Sequence, residues 1–283
     1  VKENYEIINR KISLPQDFKI CLSNNSTLSI KDSIIDSKYN SNMLKIHGCN
    51  NSSGSLLIQN SKINVDHIEL KNLSSPVMPL RILFGGLNII ETDFNFNRLD
   101  IYSARSEDGV NFINSNVEGG YILAEETLSD AIDSDYSQLN IKNINCSKIG
   151  NDCIDFSYSN AKVSNINAKN VGDKVISVGE DSVVKLKFID AIHSEIGIAS
   201  KDSSKIDIDE YSYSNVKIPL VAFIKKQEFD KPEINIYRTQ RDVYSNSFIS
   251  YDSNVIISNK KVKGSYTSRQ IYDKLYSNSN ELK

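Results

Sequence analysis

Short alternating runs of apolar and polar residues recur along this chain, and their spacing carries more information than any single run. Setting "SEDGVNF", "SDAIDSD", "NDCIDFS", "DKVISVG" and "IGIAS" beneath one another brings Val110, Ile132, Ile154, Ile176 and Ile198 into one column. The interval between successive members is constant, and one more equal step reaches Leu220. A second register, Ser-x-apolar-x-apolar-x-x-apolar, follows each run, as in Ser137-Leu139-Ile141-Ile144 and Ser159-Ala161-Val163-Ile166. Each repeat therefore holds two or three period-2 strands separated by Asn, Gly, Ser and Asp turns. One such unit cannot bury its inner face alone, but stacked units bury a continuous column. The pattern predicts an all-β fold, a single right-handed parallel β-helix of about 22 residues per coil. A leucine-rich repeat would need LxxLxLxxN and a helix per repeat, and a sandwich would not keep so strict a spacing.

Before residue 110 the strand pair persists at wider spacing in "STLSIKDSII" (26–35), "GSLLIQNSKI" (54–63) and "GGLNIIETDF" (85–94). The chain reads as one domain over residues 1–283, with an N-terminal cap strand in 1–25, coils over 26–260 and a C-terminal cap and tail over 265–283. The i, i+4 spacing of Ile271 with Leu275 and of Tyr272 with Tyr276 predicts a short helix there, covering the last coil.

Alternation also assigns the outward positions. With the isoleucines inward, Asn111, Asp133, Asp155, Ser177 and Ala199 point out, and Ile113, Asp135, Ser157, Gly179 and Lys201 share that face. Strands of adjacent coils lie ~4.8 Å apart, so Asp133 and Asp155 are near neighbours in an exposed ladder. A second acidic ladder, Asp108, Asp130, Asp152 and Asp173, occupies the preceding turn. Its last step is one residue short, which places a bulge between Asp173 and Ile176 with Lys174 inside it. Like charges ~5 Å apart oppose one another's ionisation unless a cation, a shared proton or a lysine intervenes. For the turn ladder, hydrogen bonding to backbone amides is the plainer reading.

Composition removes several alternatives. A net charge of −3 gives no basic footprint for nucleic acid. No apolar run is long enough for a transmembrane segment, and the first residues lack the pattern of a signal peptide. Four cysteines without a CxxC pair argue against zinc and make disulfides optional rather than a framework. Three scattered histidines read as packing or surface residues.

The run "SEDGVNF…SDAIDSDYS…GNDCIDFSYS…GDKVISVGEDS…IGIASKDSS…KKQEFDKPEI" resembles the right-handed parallel β-helix regions associated with bacterial spore-coat-kinase-like (CotH-type) proteins. The likeness covers roughly residues 80–236, and this chain has Val175 and Gly109 where that pattern has Gly and Ala. It implies a partner enzyme or kinase-like module, while nothing in this chain matches a kinase motif. The wider habit of right-handed β-helices, action on acidic polysaccharides along a parallel sheet, is a fold-level analogy.

These readings converge on a carbohydrate-active protein that binds an extended, anionic polysaccharide, with an extracellular or cell-envelope location favoured. The expected chemistry is that of a lyase or C5-epimerase. Asp133, Asp135 and Asp155 would hold Ca²⁺ against a uronate carboxylate while Lys174 removes the C5 proton. Asp133, Asp155 and Lys174 are thus the catalytic candidates, with Glu107, Asn111, Ser177, Glu180 and Lys201 expected to bind substrate. Two alternatives stand: a non-catalytic glycan-binding or structural surface module beside a partner enzyme, and a retaining glycoside hydrolase built on the adjacent carboxylates.

Overall fold

The computed structural model describes residues 4–23, 25–37, 42–49, 53–76, 83–240 and 242–277. It is a parallel β-solenoid of about 10 turns with about 23 residues per turn. The predicted aliphatic column is present. Val110, Ile132, Ile154, Ile176, Ile198 and Leu220 pair in register from coil to coil, and all are fully buried. The stack continues through Leu87, Leu56 and Leu28, across the coils that carry insertions.

The serine that opens the second register has a structural reason. Ser115, Ser137, Ser159 and Ser182 stand one per coil in the interior, and each hydroxyl accepts the backbone N–H of its counterpart one coil earlier, at 2.9–3.1 Å. This column satisfies buried amides at a corner where the strand ladder breaks. The residue just before each of these serines takes a left-handed backbone: Asn114, Tyr136, Tyr158 and Asp181 have φ between 47° and 56°. Asn and Asp tolerate that region, whereas for tyrosine it is an outlier that local packing must hold.

Both ends differ in detail from the expectation. The segment read as one N-terminal cap strand is itself a coil. Tyr5–Ile8, Lys11–Leu14 and Asp17–Leu22 pair in parallel with the next three strands. Residues 1–3 of that cap and 278–283 of the tail lie outside the described residues. At the far end Asn254–Ile257 is closed by an antiparallel partner, Lys260–Val262, which breaks the parallel edge.

The helix α1 (Ser268–Tyr276) exists, started by a Thr267–Gln270 capping box. It does not cover the last coil. Ile271 packs with Ile196, Ala199, Val221 and Phe223, which lie on the outer side of the sheet, so α1 lies along the flank of the solenoid. The reason is in the sequence of the outward rows, which change from acidic to apolar after residue 177 and offer an amphipathic helix a hydrophobic seat.

All four cysteines are paired, Cys21 with Cys49 and Cys146 with Cys153. The first joins neighbouring coils near the N-terminal end.

Candidate functional site

Three outward rows cross the coils side by side. The first runs Asp108, Asp130, Asp152, Lys174, Ile196, Ile218, and the second Asn111, Asp133, Asp155, Ser177, Ala199, Val221. The third carries Ile113, Asp135, Ser157, Gly179, Lys201 and Phe223. The first two rows start polar and end apolar, the third ends on Phe223, and α1 seats on the apolar end. The polar part forms a shallow groove with the helix as its end wall, where Lys225 Nζ lies 5.2 Å from the centre of the Tyr276 ring.

The bulge expected between Asp173 and Ile176 is not found there: Lys174, not Asp173, lies over Asp152 and continues the row of Asp108, Asp130 and Asp152. The register shifts instead between Val171 and Lys174, against the following coil. Its ammonium contacts Asp152 at 3.2 Å and also pairs with Asp173. Burial pulls the Lys174 ammonium down, but Asp152 and Asp173 outweigh it and hold its pKa above the ordinary lysine value. Proton abstraction needs a neutral amine, and these ion pairs favour the charged one. The turn ladder follows the plainer reading. An Asp130 oxygen accepts the Asp152 N–H at 2.7 Å, and an Asp152 oxygen accepts the Lys174 N–H at 2.9 Å.

The second row corrects the expectation of an exposed ladder. Asn111 and Ser177 are buried, and Asp133 and Asp155 half-buried, although all face outward. Asn111 Nδ2 donates to both Asp108 and Asp133 at 3.2 Å, which ties the first two rows together. Burial, then Asp135, Asp108 and Asp155, pushes the Asp133 carboxyl up to about 9. Burial with Asp130 and Glu107 pushes Asp108 up to about 8, and burial with Asp155 and Glu180 lifts Asp135 to about 6. At neutral pH Asp133 and Asp108 hold their protons.

Three buried atoms of this row, Asn111 Oδ1, Asp155 Oδ1 and Ser177 Oγ, make no hydrogen bond to the protein. Buried polar atoms in folded proteins are normally partnered, and each exception asks for an explanation. The other expected residues border the same groove. Glu107 is exposed at its edge. Glu180 accepts from Ser157 Oγ at 2.8 Å and pairs with Lys226 at 2.6 Å. Burial alone would raise its pKa, but the bonds from Lys226 and Ser157 outweigh it and bring the value below the usual one. Lys201 folds over Gly179.

Two residues escaped the sequence reading. Tyr136 and Tyr158 stack with ring centres 4.6 Å apart and planes 3° from parallel, and both are exposed. They follow Asp135 and Ser157 directly, so they form an aromatic border to the groove, extended by Phe229 at 6.1 Å from Tyr158. The signal was available: two tyrosines one repeat apart, at a turn where Asn and Asp are the comfortable choices.

Among the described residues no group of three or more His, Cys, Asp or Glu side chains is arranged to hold a metal ion, and no helix is long and apolar enough to cross a membrane. Comparison with protein-family models, curated proteins and solved structures found no match to this chain.

Proposed function

We propose that this protein is a carbohydrate-active β-solenoid. In this reading an extended polysaccharide lies across the three outward rows, with Asp133 as the proton donor to its glycosidic oxygen and Asp155 as the carboxyl beside it. The observation that carries this reading is the in-register pair Asp133–Asp155, of which the first member keeps its proton at neutral pH. An acid with a raised pKa next to a second carboxyl is the arrangement that cleaves glycosidic bonds. Strands ~4.8 Å apart set a separation suited to retention, in which Asp155 attacks the anomeric carbon as Asp133 protonates the leaving oxygen. Water then releases the sugar, with Asp133 accepting its proton. Tyr136 and Tyr158 supply apolar surface for the faces of sugar rings.

Lyase or epimerase chemistry through Lys174 is disfavoured by its ion pairs with Asp152 and Asp173. A non-catalytic binding module is favoured by one observation: the chain of hydrogen bonds from Asp130 through Asp152 to Lys174 is a rigid framework that satisfies itself. Two disulfides suit an oxidising compartment such as the cell envelope. The resemblance to CotH-associated regions supports a place beside a partner module, which co-purification with a tagged chain would test. Incubation with a panel of polysaccharides, followed by reducing-end release and by absorbance of unsaturated products, separates the three chemistries. Reducing ends without unsaturation support the hydrolase, unsaturation restores the lyase, and binding without either supports the module.

A further inference from the structure

Around the corner from the acid pair, the strands that begin at Asn116, Gln138, Asn160, Val183 and Lys205 present a second outward face. Its central row reads Glu118, Asn140, Lys162, Lys185 and Asp207, in register from coil to coil. By alternation Lys142 and Lys187 stand on the same face, two residues beyond Asn140 and Lys185. All four lysines are exposed, and among the described residues none makes a side-chain hydrogen bond or ion pair. The acids nearby are already engaged. Asn140 Nδ2 donates to Glu118 at 2.8 Å, Asn235 Nδ2 donates to Asp207 at 2.7 Å, and Lys205 pairs with Glu233 at 3.6 Å.

Lys162 and Lys185 therefore oppose each other on strands ~4.8 Å apart with no carboxylate paired to either, and like charges directly opposite weaken a sheet. Their row-mate Asn140 shows that a neutral side chain fits the position. The same stretch is a groove of about 600 Å³, lined by Gln138, Asn140, Asn160, Lys162 and Lys185, with Glu118 at one end. That volume lies in the range of ligand-binding clefts. The exposed Gln138 and Asn160 carboxamides make no hydrogen bond among the described residues, so each offers donors and an acceptor to an occupant. Among the described residues, no aromatic side chain and no arginine lines this groove.

We propose that this second groove binds an acidic polysaccharide, with a carboxylate or sulfate group on the Lys162–Lys185 pair and sugar hydroxyls on the Gln138 and Asn160 carboxamides. The assignment goes beyond the reading of the acid pair and does not depend on it. An anionic group between the two ammonium groups replaces their repulsion with two charge-assisted hydrogen bonds. Hydroxyls both donate and accept, as carboxamides do, so a sugar matches the amides on either side. Single-stranded nucleic acid takes much of its affinity from aromatic faces, which this groove lacks. An acidic peptide would bind by adding a strand to a free sheet edge, and here the strand backbones are paired on both sides. The acids that line the first groove repel an acidic chain, so it is drawn to this face and not to the other.

The test is calorimetric titration with four probes: oligogalacturonate, dextran sulfate oligosaccharides, a single-stranded oligonucleotide and poly-glutamate. It compares wild type with Lys162→Gln/Lys185→Gln and with a charge-matched control, Lys11→Gln/Lys19→Gln, on the first coil. All four of these lysines are exposed, so both double variants keep the fold. Wild type should bind at least one of the two acidic glycans, more weakly as salt rises, and the one bound identifies carboxylate or sulfate as the group recognised. Lys162→Gln/Lys185→Gln should bind it roughly tenfold more weakly or worse, the loss of charge-assisted hydrogen bonds, while the control binds as wild type does. Undiminished binding by the first variant, or an equal loss in the control, overturns the site. Tighter binding of the oligonucleotide or of poly-glutamate overturns the polysaccharide class, and no binding of either acidic glycan overturns the proposal outright. Asp155→Asn separates this face from the acid pair. It should leave acidic-glycan binding unchanged, and a loss would place the ligand in the first groove and overturn the second.

Discussion

Asp133 and Asp155 stand in register on adjacent coils, each directly after an interior isoleucine of the same column. Their closeness follows from the repeat length and needs no loop to arrange it. Such a pair repels itself when both members ionise, and the protein relieves this at Asp133 by burial that favours the proton. Asp155→Asn changes charge with little change of shape. We expect it to abolish turnover, or glycan binding if the protein only binds, with a denaturation midpoint equal to or slightly above wild type. Unchanged turnover and binding of every tested glycan would remove this pair from the site.

The raised carboxyls make stability depend on pH in a definite direction. Asp133, Asp108 and Asp135 titrate at about 9, 8 and 6 in the folded chain, against roughly 3.9 when unfolded. Between about pH 4 and pH 9 the folded protein keeps protons that the unfolded chain has released, so stability falls as pH rises across that window. Glu180, shifted the other way, adds stability only above its unfolded value, near pH 4. Urea midpoints measured from pH 5 to 9 should decline, and Asp133→Asn should flatten the upper part of the decline. Calcium is the competing way to relieve the charge. If Ca²⁺ replaces the proton across Asp133, Asp135 and Asp155, added Ca²⁺ should raise the melting temperature and chelator lower it. Indifference to both supports the proton.

Lys174 is a buried lysine held between two acids, and its removal should be felt in stability. Lys174→Met leaves the buried Asp152 without its cation, and breaking a buried pair from one side costs about 3 kcal/mol or more. Chemical denaturation should show that loss. An unchanged midpoint would mean that the ion pair with Asp152 and Asp173 contributes nothing to stability.

The interior column gives the simplest measurement. Ile154 is fully buried between Ile132 and Ile176. Ile154→Ala should lower unfolding free energy by roughly 2–5 kcal/mol through lost burial and the cavity left behind. An unchanged midpoint would contradict its place in the stack.

The column was readable because a solenoid writes its period into the chain, with one interior position per coil at a constant interval. The acid pair was readable for the same reason. Lys174 was misplaced because the turn ladder was followed by residue type to Asp173, one position short of the repeat. Counting one full repeat onward from Asp152 reaches Lys174 directly. The half-burial of the second row and the lateral seat of α1 depend on contacts between segments far apart in the chain. No local pattern reports these. The change of the rows from Asp to Ile, Ala, Val and Phe was the one available hint.

That lateral seat makes a prediction that separates α1 from the solenoid. A helix of this length is marginal alone in water even with a capping box. Its persistence must come from Ile271, fully buried against Ala199, Val221 and Phe223. Ile271→Asp places a charge in that apolar contact, so α1 should detach while the coils, whose stack does not include it, stay folded. Hydrogen exchange should show lost protection over 268–276 and retained protection over 154–157. Because Tyr276 borders the lysines at the end of the groove, detachment should also open Lys201 to solvent. Amine-directed labelling of Lys201 should then become faster in the variant than in wild type. If labelling stays slow with α1 unprotected, the burial of Lys201 comes from the coils alone, and the helix is no wall to this groove.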